Sequence, residues 1–125
     1  MNHAEFQAWL DRYIAAWRSG EPGAIGDLFS ADAAYFYGPY REPVRGRAAI
    51  VAEWTREPDE PGSWEAEYRP LAIDGDTAVA TGESRYPAEG RTYSNIFVCR
   101  FDTDGRCTEF REWFMAKPRA DGVTS

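Results

Sequence analysis

Apolar side chains recur at three- and four-residue spacing along the first part of the chain. This spacing predicts an amphipathic helix over about residues 3–19, because residues so spaced share one face of an α-helix. Ser19 and Gly20 then end the helix. The residues that define the apolar face are Phe6, Trp9, Leu10, Tyr13, Ile14 and Trp17.

Two further helices are predicted before residue 57. Pro22 suits the first turn of a short second helix. Its apolar residues Ile25, Leu28 and Phe29 share a face before Ser30-Ala31-Asp32 stops it. A third helix is predicted from about Gly46 to Arg56, with Ile50 and Trp54 on one side.

The remaining pattern predicts strands. Ala33 to Tyr37 is a short aromatic strand, and four longer strands follow residues 57–62, which form a linker. The connections between the long strands are rich in Asp, Gly and Pro, which favour turns. Strands that follow helices indicate an α+β fold with an antiparallel meander. The predicted strands are Trp64–Ile73, Thr77–Tyr86, Tyr93–Phe101 and Arg106–Met115.

The first hairpin of the meander predicts a cavity. A loop at Asp74–Asp76 places Tyr68 opposite Gly82 and Trp64 opposite Tyr86. One face of the second long strand then carries only small side chains, which leave space beside the sheet. The small residues are Ala78, Ala80, Gly82 and Ser84.

The last hairpin places an acid on an aromatic face. A four-residue loop at Asp102–Gly105 sets Asn95 opposite Glu112, and opposed residues in an antiparallel pair point to the same side. This face is the predicted wall of a pocket. The same register points Cys99 inward and Cys107 outward, which predicts two free thiols. The pocket face comprises Tyr93, Asn95, Phe97, Cys99, Phe110, Glu112 and Phe114.

Composition narrows the function classes. With 125 residues, 43% of them hydrophobic, the chain is long enough for one domain with a real core. A net charge of -7 argues against nucleic-acid and anionic-membrane partners, and favours small neutral or cationic ligands. No apolar run reaches the roughly 20 residues that span a bilayer, and the N-terminus lacks signal-peptide features. Cytoplasmic residence is therefore the expectation.

Several short segments resemble the SnoaL-like branch of the nuclear transport factor 2-like superfamily. The resemblance extends over residues 1–116 as a single domain, with 117–125 a flexible tail. It implies a cone-shaped α+β barrel, in which three N-terminal helices pack on a curved, mainly antiparallel sheet that encloses a pocket. It also implies a homodimer through the outer sheet face. The matching segments are Arg12–Trp17, Leu28-Phe29, Asp32-Ala33, Pro43–Gly46, Ala49-Ile50 and Phe110–Phe114.

The resemblance excludes several known chemistries of the superfamily. Tyr13 matches the oxyanion-binding tyrosine of ketosteroid isomerases. The two catalytic acids of those enzymes would fall near Tyr37 or Gly38 and near Phe97, so both acids are absent from this chain. Chemistry like that of scytalone dehydratase needs interior histidines, whereas this chain has only His3. Chemistry like that of limonene epoxide hydrolases needs two acids bridged by an arginine inside the pocket, whereas the predicted pocket face offers only Glu112. The polyketide cyclases place an acid on a late strand, which Glu112 matches.

Glu112, Tyr13 and Asn95 are the candidate catalytic residues. Desolvation in an apolar pocket would raise the pKa of Glu112 and make it an acid or base near neutral pH. Alternatively, Glu112 pairs with Arg41 or Arg45, or lies at a wet pocket mouth. Aromatic residues at these spacings are also ordinary core residues. The candidate ligand-binding residues are Trp17, Tyr37, Trp54, Trp64, Tyr68, Tyr93, Phe97 and Phe114.

Three classes of function remain open. The first is a cofactor-free isomerase, cyclase or hydratase that acts on a small, apolar, cyclic molecule. The second is a binding module without turnover, and the third is a dimeric assembly domain. Because the chain has a single histidine, a nucleophilic triad would lack its base and a zinc site would lack ligands. The sequence also contains no phosphate-binding loop. The outer sheet face that would form a dimer carries Val79, Ile96, Val98 and Trp113.

Overall fold

A computed structural model describes residues 1–60 and 62–118. Three helices and six strands follow one another, with a 3₁₀ turn at Pro87–Glu89. The helices are α1 (His3–Ser19), α2 (Pro22–Gly26) and α3 (Arg47–Arg56). The strands are β1 (Phe29–Phe36), β2 (Val44–Arg45), β3 (Glu65–Asp74), β4 (Thr77–Tyr86), β5 (Arg91–Phe101) and β6 (Cys107–Ala116).

Helix α1 has the predicted bounds. Asn2 and Glu5 form a capping box, in which each side chain accepts a hydrogen bond from the other residue's backbone N–H. Gly20 ends the helix in the left-handed conformation, with φ 67°. Four residues of the predicted apolar face are buried and Ile14 and Trp17 are partly buried against the core. The Trp9 indole N–H donates to the Leu28 carbonyl oxygen at 3.1 Å. No helix of the described residues is long and apolar enough to cross a bilayer.

The second helix is shorter than predicted. It stops at Gly26, and Leu28 and Phe29 are not helical. Phe29 instead begins β1, which starts four residues before the predicted Ala33. Both side chains are fully buried, so the prediction identified core residues but assigned them to the wrong element.

The six strands form one mixed sheet in the order β2-β1-β6-β5-β4-β3. Strand β1 is parallel to β6 and antiparallel to the short β2, and the other neighbours are antiparallel, as in the predicted meander. The sheet is open, and the helices pack on its concave side. This is the cone-like α+β architecture expected from the sequence.

The predicted pairing of β3 with β4 is confirmed at its centre. Tyr68 lies opposite Gly82, as expected, and a bulge near Leu71 corrects for a turn one residue shorter than the predicted one. A Cβ atom on Gly82 would lie 1.9 Å from the Glu67 carbonyl oxygen, which no side chain can tolerate. The β3 backbone therefore approaches β4 as closely as only glycine allows.

The predicted register of the last hairpin is wrong by two residues. Glu112 lies opposite Phe97 instead of Asn95, which lies opposite Phe114. The turn is one residue shorter than predicted, because the Asp102 N–H donates a hydrogen bond to the Arg106 carbonyl oxygen at 2.9 Å. A bulge after this turn adds the second residue. Two residues are one full side-chain period of a strand, so Glu112 still faces the interior.

The same bulge overturns the prediction for Cys107. Between the turn and the bulge the strand is out of the predicted register by only one residue, so Cys107 points into the core instead of outward. Cys99 and Cys107 are both fully buried and both free. The predicted tail begins at Lys117, and its residues 119–125 lie outside the described part of the chain.

Candidate functional site

A cavity of about 190 Å³ opens between the helices and the concave side of the sheet. Helix α1, strand β1 and helix α3 supply most of its aromatic wall, and β4 and β6 contribute Ser84 and Glu112. An apolar cavity of about 150 Å³ holds one benzene molecule, so this cavity suits a ligand of about one ring. Its aromatic lining is Tyr13, Trp17, Tyr35, Tyr37, Trp54, Tyr68 and Tyr86.

Glu112 lies on the inward face of β6 and contributes a carboxyl group to this cavity. It is partly exposed, and desolvation by the surrounding aromatic residues raises its pKa from 4.5 to about 7. The Tyr35 hydroxyl partly offsets this rise, because a donor stabilises the charged carboxylate. Near neutral pH the group is therefore divided between acid and base forms.

Tyr13 and Tyr35 form a hydroxyl pair beside Glu112. Their oxygen atoms lie 2.9 Å apart, and both side chains are buried. Burial, followed by the charge of Glu112, raises the pKa of each phenol well above its usual value, so both stay protonated. One of the two hydroxyl protons makes the mutual hydrogen bond. The other is available to Glu112 or to a ligand oxygen.

Three more phenols surround the same carboxylate. The charge of Glu112 contributes to a raised pKa at Tyr37, Tyr68 and Tyr86, although burial is the larger cause at each. The pKa of Tyr86 rises to about 12. Neutral hydroxyl donors thus surround the Glu112 carboxyl group, an arrangement suited to moving a proton while an oxygen atom is held.

Asn95 lines a hollow together with Glu112, but its hydrogen-bond partner is Ser84 and not Glu112. It is 4% exposed, and its Oδ1 accepts a 2.7 Å hydrogen bond from the Ser84 hydroxyl. Asn95 lines a second hollow of about 240 Å³. Glu112 and Ser84 line both hollows.

The predicted ligand-binding residues fall into three groups. Four line the cavity, and Tyr93 and Phe114 line the second hollow. Trp64 and Phe97 line neither, because both are core residues. Trp64 stacks on Trp17 with ring centroids 3.5 Å apart, and Phe97 packs against Phe110. The four that line the cavity are Trp17, Tyr37, Trp54 and Tyr68.

Three residues that line the cavity were not predicted from the sequence as site residues: Tyr35, Ser84 and Tyr86. Tyr35 and Tyr37 are two residues apart on a predicted strand, so their side chains point to the same face of the sheet. This spacing was sufficient to place both phenols together. Ser84 was recognised only as a small residue. Tyr86 was placed on the correct strand, but only the tertiary fold brings it to the cavity.

The cavity mouth is acidic. Glu57 and Asp59 lie at its rim, and Asp59 accepts a 2.9 Å hydrogen bond from the Trp17 indole N–H. Neither Arg41 nor any other cation of residues 1–60 and 62–118 forms an ion pair with Glu112. In the same residues, His, Cys, Asp and Glu side chains form no group of three that could hold a metal ion.

Comparison with known proteins agrees with this architecture. An NTF-2-like protein of unknown function from Burkholderia xenovorans LB400 superposes with a TM-score of 0.70. The two chains are 21% identical over 89% of this chain and 83% of the other, a likeness that shows the fold. A family model, the SnoaL-like domain, matches residues 10–110. The chain belongs to this family of the NTF2-like superfamily. No curated protein matches the chain.

Proposed function

We propose that this SnoaL-like protein binds a small, uncharged cyclic molecule and transfers a proton on it, with Glu112 as acid and base. The observation that carries the proposal is the position of Glu112 beside the Tyr13–Tyr35 hydroxyl pair at an aromatic cavity. The reaction is an isomerisation, cyclisation or hydration that needs no cofactor. The acidic rim at Glu57 and Asp59 disfavours anionic ligands.

The chemistry divides between two groups. As a carboxylate, Glu112 accepts a proton from a carbon or hydroxyl of the ligand, and the protonated group later returns it to another atom. The free hydroxyl proton of the Tyr13–Tyr35 pair bonds an oxygen atom of the ligand and holds it in place. A pKa of about 7 suits Glu112 to both halves of this cycle at neutral pH.

Titration of Glu112 tests the proposal most directly. Carbon NMR of protein labelled at glutamate side chains should show one carboxyl with a midpoint near 7, well above the usual value of about 4.3. Glu112→Gln should remove that resonance. The control is Glu65→Gln, at an exposed position on β3, which should leave the high midpoint unchanged. An ordinary midpoint for Glu112 would contradict acid–base function.

A binding module without turnover is the alternative for the same cavity. Because Glu112 is partly exposed and lines both hollows, it can hold a ligand hydroxyl without exchanging a proton. Glu112→Gln separates the two functions. In an enzyme it removes product formation and leaves affinity nearly unchanged, whereas in a binder it changes affinity alone.

A dimeric assembly is supported by the outer face of the sheet. Trp113 is 56% exposed and lies directly opposite Ile96, which is 38% exposed. Val79 and Val98 pair on the same face. Sedimentation at micromolar concentration should show a dimer, and Trp113→Lys should dissociate it while leaving the interior intact. A monomeric parent protein would exclude this assembly.

A further inference from the structure

Two adjoining hollows, not one, meet at Glu112. The second hollow, of about 240 Å³, shares Ser84, Tyr86 and Glu112 with the aromatic cavity. Its remaining wall comes from Glu89 in the 3₁₀ turn, from Tyr93 and Asn95 on β5, and from Phe114 on β6. A carboxyl that lines both spaces can reach an atom that lies between them.

Asn95 gives the second hollow a specific hydrogen-bonding character. The Ser84 hydroxyl occupies its Oδ1, which fixes the direction of the amide. Its Nδ2 has no hydrogen-bond partner among the residues that the structure describes, and the side chain lines the hollow. Nδ2 is not fully enclosed, so it can donate to the oxygen of a ligand in this hollow in place of water.

The charges around the second hollow exclude an anionic ligand group. Glu89 and Glu112 line it, and no lysine or arginine of the described residues does. A carboxylate or phosphate would face two acids with no compensating cation. An ammonium group has no lone pair to accept from Asn95. A neutral carbonyl oxygen satisfies both conditions.

We infer that the substrate is an elongated neutral molecule, with one ring in the aromatic cavity and a carbonyl-bearing arm that accepts a hydrogen bond from Asn95 in the second hollow. The inference rests on the proposed function and specifies its substrate class. The carbon between ring and carbonyl then lies at the junction, beside Glu112. Phe114, at the rim, packs on the arm.

This placement defines the proton that moves. A C–H bond of the carbon between ring and carbonyl breaks, and its proton passes to the Glu112 carboxylate. The bonding electrons form a C=C bond, and the carbonyl π electrons move onto the oxygen. The Asn95 amide stabilises the resulting enolate through its N–H donors. Return of the proton to the enolate oxygen completes a keto–enol isomerisation, whereas return to the same carbon regenerates the ketone and, in D₂O, exchanges its hydrogen; neither needs an oxidant or reductant.

The test compares two probes that differ only in the arm. 4-Hydroxyphenylacetone carries ring and carbonyl arm, and 4-methylphenol carries the ring alone. NMR titration of the whole protein should show tighter binding of the ketone. Asn95→Leu should weaken ketone binding about fivefold, the effect of one neutral hydrogen bond, and should change 4-methylphenol binding less than twofold.

Two further variants keep this comparison decisive. Phe114→Ala alters a side chain that is 58% exposed, so folding should persist, and it should also weaken the ketone selectively. Ser94→Ala, exposed on the outer face of β5, is the matched control and should change neither probe. Equal affinity for the two probes, or equal loss of both in Asn95→Leu and Phe114→Ala, would overturn the inference.

Deuterium exchange separates this inference from the proposed function. The protein should accelerate exchange of the ketone's methylene hydrogens in D₂O, and Glu112→Gln should abolish the acceleration. Selective ketone binding without exchange would reject catalysis and leave the two-hollow assignment standing. Exchange without any preference for the ketone would support catalysis and reject the assignment.

Discussion

The hydroxyl oxygens of Tyr13 and Tyr35 lie 2.9 Å apart and join helix α1 to strand β1 inside the core. The pair has a structural consequence as well as a chemical one. It fixes the helix against the sheet at the point where Glu112 enters the cavity. The position of the acid and the orientation of the helix are therefore coupled through two phenols.

The two hydroxyl groups of Tyr13 and Tyr35 should be coupled in their contribution to stability. Tyr13→Phe or Tyr35→Phe leaves a buried hydroxyl without its partner, and each should lower the free energy of unfolding by about 1–3 kcal/mol. The double variant should lose less than the sum of the two, because no orphaned hydroxyl remains. Urea denaturation of the four proteins measures this coupling. Strict additivity would show that the hydrogen bond contributes nothing.

Tyr35→Phe should also move the titration of Glu112. The Tyr35 hydroxyl lowers the pKa of the carboxyl, so its loss should shift the midpoint upward from about 7. Carbon NMR detects this shift directly. Tyr40→Phe, at a fully exposed side chain, is the control and should leave the midpoint unchanged. A downward shift in Tyr35→Phe would show that the phenol does not donate to Glu112.

Stability should depend on pH through Glu112. Its pKa is raised in the folded state, from 4.5 to about 7, so the folded protein binds more protons than the unfolded chain between these values. The contribution of Glu112 to stability is therefore complete below about pH 4.5 and is lost as pH rises through about 7.

Glu112→Gln should remove this dependence. Relative to the parent protein, the variant should gain up to about 3 kcal/mol in free energy of unfolding between pH 4 and pH 8, less where water screens the carboxyl. Urea denaturation at several pH values provides the measurement, with Glu65→Gln as the exposed control. Parallel pH profiles for Glu112→Gln and the parent would rule out a raised pKa.

Gly82→Ala should destabilise the sheet. The added methyl group would meet the Glu67 carbonyl oxygen at 1.9 Å and the Tyr68 ring at 2.7 Å, so the β3–β4 pairing must separate. The expected loss is about 1–3 kcal/mol, as for an overpacked core. Gly23→Ala is the matched control, because nothing lies within 4 Å of its added methyl group. Thermal unfolding should show a lower Tm for Gly82→Ala alone.

The two thiols should react only when the protein unfolds. Cys99 and Cys107 are fully buried, and burial raises the pKa of Cys99 well above its usual value. An aromatic disulfide reagent at pH 8 should modify neither thiol in native protein and both in denaturant. Rapid modification of the native protein would contradict the corrected, inward position of Cys107.

The last hairpin shows how far local sequence predicts a site. Alternation placed Glu112 on the inner face of β6, and a two-residue error in register left that face unchanged. The predicted cross-strand partner of Glu112 was wrong, however, because hydrogen bonds between Asp102 and Arg106 shorten the turn and a bulge after it shifts the register again. Such details depend on local geometry that composition does not specify.

The sequence by itself determined the positions of α1 and α3, the α+β class and the inward direction of Glu112, because hydrophobic periodicity and turn residues act over a few neighbouring positions. Only the tertiary structure decided that Tyr35 meets Tyr13, that Cys107 is buried and that Asn95 lies in a separate hollow. These contacts join residues distant in sequence, and their geometry depends on strand register, bulges and helix packing taken together.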